Sequence, residues 1–218
     1  MISFSLWDIV RHLCVGAAWT AGLSLVAFAL GGAAGLGVLF ARISPRRRLS
    51  APAKAYIEFF QDTPLLMQLF LIFFGFGLLG LDISPLLTAA IGLTLFTSAY
   101  LAEIWRGCVE AIPKGQWEAS DCLAMSSLQR MRFVILPQAL RTAIPPTVGF
   151  SVQVVKGTAV TSIIGFMEIT KTGSMIANAT FKPLLVYALA AVFYFIICFP
   201  LSALARRVER RLHAACAR

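Results

Sequence analysis

LCVGAAWTAGLSLVAFALGGAAGLGVLFA, residues 13–41, contains no charged side chain. A bilayer core about 30 Å thick is crossed by roughly 20 apolar residues in an α-helix, so this run is long enough to span a membrane. It is also longer than the apolar core of a secretory signal peptide, roughly 7–15 residues, and no small-residue cleavage site follows it. We therefore expect an uncleaved first span.

Four more apolar stretches follow, and their composition sets the fold class. The chain is 59% hydrophobic and 13% charged, whereas soluble domains are about 45–50% apolar and about 25% charged. The stretches do not alternate apolar and polar residues as membrane β-strands do. The sequence therefore predicts an all-α membrane protein. It forms one transmembrane domain over residues 1–218, with five transmembrane helices at roughly 13–41, 63–81, 83–106, 140–167 and 183–207.

The lysines and arginines indicate the orientation. If the N-terminus is outside, all but four of the 19 fall in cytoplasmic loops or the C-terminal tail; the four are Arg11, Lys156, Lys171 and Lys182. Cytoplasmic loops carry an excess of these residues, so we expect the N-terminus outside and the C-terminus in the cytoplasm. The net charge of +9 is then a topology signal. Because the charges are scattered over separate loops, we expect the lipid bilayer as a partner and no nucleic acid.

Cysteine and histidine spacing gives no sign of a metal site. The five cysteines are far apart and form no CxxC pattern, and the two histidines stand alone. We therefore expect the cysteines to act as small apolar residues, with neither a disulfide framework nor a metal.

One polar segment, residues 113–137, separates the third and fourth spans. Pro113 and Gly115 should end the preceding helix, and a short helix fits Trp117–Met125. Ser126 and Gln129 have capping-box spacing, so a second helix should begin there. A helix of about nine residues is not stable alone and needs a neighbour. Two interpretations stay open on these grounds: a loop that covers its own bundle, or a docking element for a cytoplasmic partner.

The same segment resembles a known motif. Glu118-Ala119-Ser120, then Ala124, then Val134-Ile135-Leu136-Pro137 match in spacing the EAA loop of ABC importer permeases. The surrounding residues resemble the branch of that family that takes up polar amino acids. These matches are Phe60-Gln61-Asp62-Thr63-Pro64-Leu65-Leu66 with Gln68, Ala99-Tyr100-Leu101-Ala102-Glu103-Ile104, and Ala177-Asn178-Ala179-Thr180-Phe181-Lys182-Pro183. The resemblance extends from about Tyr56 to Leu212.

The resemblance implies a type I ABC importer permease fold in the inner membrane, with a short cytoplasmic coupling helix. It implies three kinds of protein partner: a dimer of ABC ATPase subunits, a second permease subunit, and a periplasmic solute-binding protein. The chain has no G-x-x-x-x-G-K-[ST] loop, so we expect no cofactor here, and ATP with Mg²⁺ on the ATPase. The residues expected to dock on the ATPase are Glu118, Ala119, Ser120, Ala124 and Met125.

The chain departs from the family pattern at three places. Ser120 replaces an alanine, which is a mild change. Ala124 replaces a glycine that makes a turn, so the turn here should be right-handed or strained. Gln61-Asp62 stands where Arg-Gly is common in this branch.

Polar residues at membrane depth are the candidates for a substrate path. Lys156 interrupts the fourth apolar run and could meet a substrate carboxylate, with Thr158 and Ser162 as hydrogen-bonding groups and Gln153 one turn earlier. The alternative is a snorkelling lysine with hydroxyls bonded to their own helix. Asp62 either holds an α-amino group or caps the helix that begins at Thr63-Pro64.

Other acidic residues should be structural. We expect Glu58 and Glu103 to form ion pairs with basic residues at the membrane face. Glu168 and Lys171, three positions apart on the outer side, should form a surface pair or touch the binding protein.

Two other functions are weaker. An intramembrane enzyme needs a nucleophile beside a base, and the one conceivable dyad, Lys156 with Ser162, points to different helix faces. A self-sufficient channel or secondary carrier for small polar solutes needs more helices or an inverted repeat. We therefore expect a permease subunit, not an enzyme, that takes up a polar amino acid delivered by a periplasmic binding protein.

Overall fold

The computed structural model describes residues 5–216, with side chains described through residue 212. All elements in this range are helical. They are α1 (Leu6–Arg42), α2 (Arg47–Asp62), α3 (Leu65–Leu78), α4 (Pro85–Glu110), α5 (Lys114–Cys122), α6 (Ser127–Arg130), α7 (Leu136–Gly157), α8 (Ile169–Thr180) and α9 (Pro183–Cys216). A π-helical turn, Met131–Ile135, joins α6 to α7, and a 3-10 turn, Thr158–Ser162, follows α7.

Three helices in the described part of the chain, α1, α4 and α9, are long and apolar enough to cross a membrane. α2 and α3 qualify only as a pair, bent by 106° between them, which gives up to four candidate spans. The 22-residue α7 is not among them, because charged and polar side chains interrupt its apolar ones. Five spans are therefore not established by length and composition.

α3 is shorter than the predicted stretch 63–81. It ends at Leu78, and Gly80 follows with a φ of 76°. The Leu81 amide donates to the Phe76 carbonyl at 3.0 Å, a bond typical of a helix end closed by a left-handed glycine. The turn chemistry of Gly80, not the apolar run, sets the end of the helix.

α1 packs against α4 at very short range because glycines line the contact. A Cβ atom added at Gly31 would lie 2.6 Å from the Cβ of Thr97, and one added at Gly35 would lie 2.9 Å from the Ser98 carbonyl oxygen. Small residues let membrane helices approach in this way. The contact makes α1 the central helix of the fold.

Two apolar clusters share α1. One joins α1 to α3, α4 and α7 and includes Leu93 and Val154. The other joins α1 to α8 and α9 and includes Leu13 and Val186. α1 therefore contributes to both parts of the buried core.

The starts of α4 and α3 differ in their capping. Ser84 caps α4, accepting a hydrogen bond from the Leu87 amide at 3.2 Å, and Pro85 follows it at the first helical position. α3 has no side-chain cap, so the alternative in which Asp62 caps this helix is wrong. The Thr63 hydroxyl instead donates to the Phe59 carbonyl at 2.6 Å, because this carbonyl belongs to the last turn of α2.

Candidate functional site: a cytoplasmic loop and a polar cavity

The short helix of the polar segment begins and ends about three residues earlier than predicted. α5 covers Lys114–Cys122, whereas Trp117–Met125 was expected. Pro113 directly precedes its first residue, where the missing N–H costs nothing. At the other end, Ala124 has a φ of 51° and leaves the helix.

Ala124 adopts a left-handed conformation. The Ala124 amide donates to the Asp121 carbonyl at 2.9 Å, and the Met125 amide donates to the Ser120 carbonyl at 3.2 Å. These bonds form a Schellman-type helix end, which usually contains glycine. Of the two expected alternatives, a right-handed turn is excluded and a strained left-handed one is observed.

The segment after α5 is fixed to it by Arg130. Ser126 and Gln129 form the predicted capping box, with reciprocal hydrogen bonds of 2.9 and 3.4 Å, so that prediction is confirmed. The guanidinium of Arg130, at the end of α6, donates to the Asp121 carboxylate and lies over the ring of Trp117.

Trp117 anchors α5 to the bundle. Its indole N–H donates to the Ile112 carbonyl at 3.3 Å, and its ring packs on a buried cluster of Val109, Ile112, Ile135 and Ala139. α5 therefore has the neighbour that a helix of its length requires.

The predicted docking residues divide by exposure. Glu118, Ala119 and Ala124 are exposed, and Met125 is half-buried. Ser120 is only 2% exposed, and its hydroxyl donates to the Gln116 carbonyl at 2.6 Å. A serine fits this inward position because its hydroxyl finds a backbone partner.

A cavity of about 550 Å³ opens beside the α2–α3 bend. It brings together three residues predicted for the substrate path: Asp62, Gln153 and Lys156. Among the described residues, no ion pair joins Asp62 to Lys156 within 4.0 Å. One cavity thus offers an unpaired carboxylate and an unpaired ammonium group.

Two other predicted path residues lie elsewhere. Thr158 is fully buried, and its hydroxyl donates to the Val155 carbonyl at 2.8 Å. Ser162 is half-buried at the end of the 3-10 turn. Neither is among the residues that line this cavity. The bond from Thr158 is the self-bonded arrangement named above as the alternative.

Sequence reasoning missed the aromatic wall of the cavity. Phe96 and Tyr100 line it together with Gln61, and their rings lie 4.4 Å apart between centroids. The two residues are four positions apart on α4 and so share a face. That spacing was visible in the sequence, but only the packing of α4 against α7 shows that this face of α4 lines the cavity.

Two acidic residues form the ion pairs with basic residues that the sequence predicts. Glu58 pairs with Lys54 at 3.4 Å, and Glu103 pairs with Arg106 at 2.6 Å. Arg106 also binds Glu110. Both predictions of ion pairing are confirmed.

Glu168 differs from its prediction as an outer-surface group. It is fully buried, and its carboxylate accepts hydrogen bonds from the backbone amides of Thr170 and Lys171 and from the Tyr194 hydroxyl, at 2.7–2.8 Å. It caps α8 and links it to α9. The expectation that it pairs with the Lys171 side chain or touches another protein is wrong, because the two helices enclose it.

The family model described as "Binding-protein-dependent transport system inner membrane component" matches residues 33–214. The chain is 35% identical over 187 residues to the probable amino-acid ABC transporter permease protein YckA of Bacillus subtilis (strain 168), covering 86% of this chain and 83% of the relative. It is 35% identical over 210 residues to the glutamine transport system permease protein GlnP of Escherichia coli (strain K12), covering 95% and 96%.

Solved structures show the same fold. A crystal structure of an amino acid ABC transporter with histidines matches with a TM-score of 0.90 at 30% identity, covering 96% of this chain and 100% of that one. The inward-facing MetNI methionine ABC transporter matches with a TM-score of 0.71 at 21% identity. The overall arrangement is that of a type I ABC importer permease.

Proposed function

Since this chain belongs to the family of binding-protein-dependent transport system inner membrane components, we propose that it is a permease subunit of an importer. The importer is driven by ATP, and its substrate is a polar amino acid. The family consists of membrane-embedded transport subunits, not catalytic enzymes. Its relatives include permeases named for amino-acid and glutamine transport, which supports the substrate class.

The cavity beside the α2–α3 bend is the observation that best supports a polar amino acid as the substrate. Asp62 and Lys156 both line it, and neither neutralises the other. A free amino acid is a zwitterion, so its ammonium group fits the carboxylate and its carboxylate fits the lysine. Gln153 and Gln61 can hydrogen-bond a polar side chain. We assign Lys156, Asp62 and Gln153 to substrate binding, and Thr158 and Ser162 to the packing around it.

The partner that supplies energy is proposed to dock on α5. Glu118 and Ala119 are exposed on a helix fixed by Trp117 and Arg130, so they can enter a groove with little loss of conformational freedom. ATP and Mg²⁺ are bound by a dimer of ATPase subunits. ATP-driven closure of that dimer moves the docked loops and favours one orientation of the path. This requires the closed dimer to bind the permease with different affinity in its two orientations.

The topology that fits this role has five spans, with the N-terminus outside and the C-terminus in the cytoplasm. In this topology the three helices that are long and apolar enough, α1, α4 and α9, cross the membrane. The bent α2–α3 pair supplies a fourth span, and α7 with its 3-10 turn supplies the fifth. α5 and α6 then lie on the cytoplasmic side. A second permease subunit completes the path, and a periplasmic binding protein delivers the amino acid.

ATPase stimulation tests this proposal. The full chain is reconstituted in lipid nanodiscs with candidate ATPase and binding-protein subunits, and hydrolysis is measured across a panel of amino acids. We expect a zwitterionic polar amino acid to raise the rate several-fold and its methyl ester, which lacks the carboxylate, to be ineffective. Equal stimulation by acid and ester would contradict the assignment of Lys156.

A further inference from the structure

Gln68 on α3 makes an unusual set of hydrogen bonds to the bend before it. Its amide nitrogen lies 3.0 Å from the Phe60 carbonyl oxygen, 3.0 Å from the Thr63 carbonyl oxygen and 2.9 Å from the Thr63 hydroxyl. The side chain is only 3% exposed. Since an amide NH₂ has two hydrogens, at least one of them is shared between two acceptors.

Two of these three acceptors are carbonyls that the bend leaves without a helical partner. The Phe60 carbonyl would normally accept from the amide four residues later, but that residue is Pro64, which has no N–H. The Thr63 carbonyl would accept from Met67, whose amide instead binds the Pro64 carbonyl at 2.9 Å. Gln68 therefore supplies both missing donors from one buried side chain.

The bend that Gln68 bonds is also a wall of the polar cavity. α2 and α3 meet at 106°, and Asp62, Thr63, Pro64 and Leu65 between and beside them all line the cavity. Gln68 is not among the lining residues. Its bonds instead end on Phe60 and Thr63, the residues on either side of Gln61 and Asp62.

We propose that Gln68 is a positioning residue: its carboxamide holds the α2–α3 bend so that Asp62 stays in the same cavity as Lys156. The substrate part of this inference rests on the proposed function, and the geometric part does not. The other amide atom, Oε1, has no hydrogen-bond partner among the described residues. The hydrogen bonds that Gln68 contributes to the bend therefore come from its NH₂ group alone.

A distance measurement between α2 and α3 tests the geometric part. Spin labels are attached at the exposed positions Ala55 and Phe74 of the full chain in nanodiscs, with native cysteines replaced by alanine. Gln68→Met keeps the size of the side chain and removes its donors. The Phe60 and Thr63 carbonyls then lose the donors that hold the bend. We therefore expect the interspin distance to lengthen and its distribution to broaden.

Leu69→Ala is the matched control for general loss of packing. Leu69 is fully buried next to Gln68 and makes no bond to the bend, so we expect its variant to lower thermal stability without changing the interspin distance. Thr63→Val, which removes one acceptor, should give a smaller change in the same direction as Gln68→Met. It also decides the test if Gln68→Met does not fold.

Binding of radiolabelled L-glutamine, a zwitterion with an uncharged polar side chain, tests the substrate part. We expect Gln68→Met to weaken binding about tenfold and Leu69→Ala to leave it within twofold. Distance distributions that match the wild type in the folded variants would overturn the role of Gln68. If the wild-type protein binds neither glutamine nor any other amino acid of the panel, the substrate class is contradicted, and the distance measurement alone then decides the positioning role.

Discussion

The guanidinium carbon of Arg130 lies 5.5 Å from the centroid of the Trp117 ring. The same guanidinium donates to the Asp121 carboxylate, so one side chain at the end of α6 contacts α5 at two places. A short helix held in this way presents its exposed residues in one orientation. We therefore expect the proposed docking on α5 to depend on Arg130, a residue that need not touch the partner.

Arg130→Gln should weaken docking of the ATPase subunit. Cation–π contacts at exposed sites contribute about 0.5–1 kcal/mol, and the ion pair contributes less because Asp121 is exposed. We expect the Kd for the ATPase, measured by surface plasmon resonance on nanodiscs, to rise about threefold to tenfold. Arg132→Gln removes the same charge from an exposed side chain that lies over the Phe133 ring and forms no ion pair with α5 among the described residues. Equal weakening by both variants would show that charge alone matters.

Ala124→Gly should stabilise the end of α5. A left-handed alanine costs about 1–2 kcal/mol, and glycine has no such cost but loses more entropy on folding. We expect a net gain of about 1 kcal/mol, seen as slower hydrogen exchange of the amides at residues 123–125. Ala119→Gly lies inside the helix and should speed exchange instead. Faster exchange in Ala124→Gly would mean that the turn is not strained.

Glu118→Lys should uncouple hydrolysis from uptake. Glu118 is exposed and belongs to no ion pair among the described residues, so its change to lysine disturbs the permease little and a docking groove considerably. We expect normal membrane insertion and loss of most amino-acid uptake in proteoliposomes. Glu58→Lys reverses the charge of another exposed acid, on α2, and should retain uptake. Normal transport by Glu118→Lys would remove the docking role.

Lys156→Met should weaken substrate binding through the carboxylate. Hydrogen bonds to charged groups contribute about 1.5–3 kcal/mol, so we expect the Kd of the transported amino acid to rise at least tenfold. The methyl ester, which has no carboxylate, should bind both proteins equally. Lys54→Met removes a surface lysine that pairs with Glu58 and should not change binding. An equal loss for acid and ester would indicate general damage to the cavity.

Local signals predicted much of this structure. The apolar runs predict the long helices, and the Ser-x-x-Gln spacing predicts the capping box at Ser126 and Gln129. Ion pairing of Glu58 and Glu103 with basic residues was also expected, and their partners lie four and three positions away. Each of these signals lies within one continuous stretch of the chain, and the capping box and the ion pairs lie within about one turn of a helix. The sequence therefore carries this information in short windows.

Features that depend on distant contacts were missed. The spacing of Glu168 and Lys171 predicted a surface ion pair, but the side chain that Glu168 contacts, Tyr194, lies 26 positions away. Gln68 reaches eight positions back across the bend. Two conformations, right-handed or strained, were expected at Ala124, and the structure has a left-handed φ of 51° there. The helix before this turn is held by Arg130 and by the apolar cluster under Trp117, which are contacts that the sequence does not show. Whether a polar residue faces a cavity or its own backbone is set by the arrangement of helices.

Uptake by the reconstituted chain shows whether this permease needs an ATPase subunit and a binding protein to move an amino acid. Proteoliposomes containing the permease are loaded with ATP and assayed for uptake of a labelled polar amino acid, with the ATPase subunit, the binding protein or both omitted in turn. We expect uptake with the complete set and none when either the ATPase subunit or the binding protein is left out. Transport by the permease alone, without nucleotide, would contradict it.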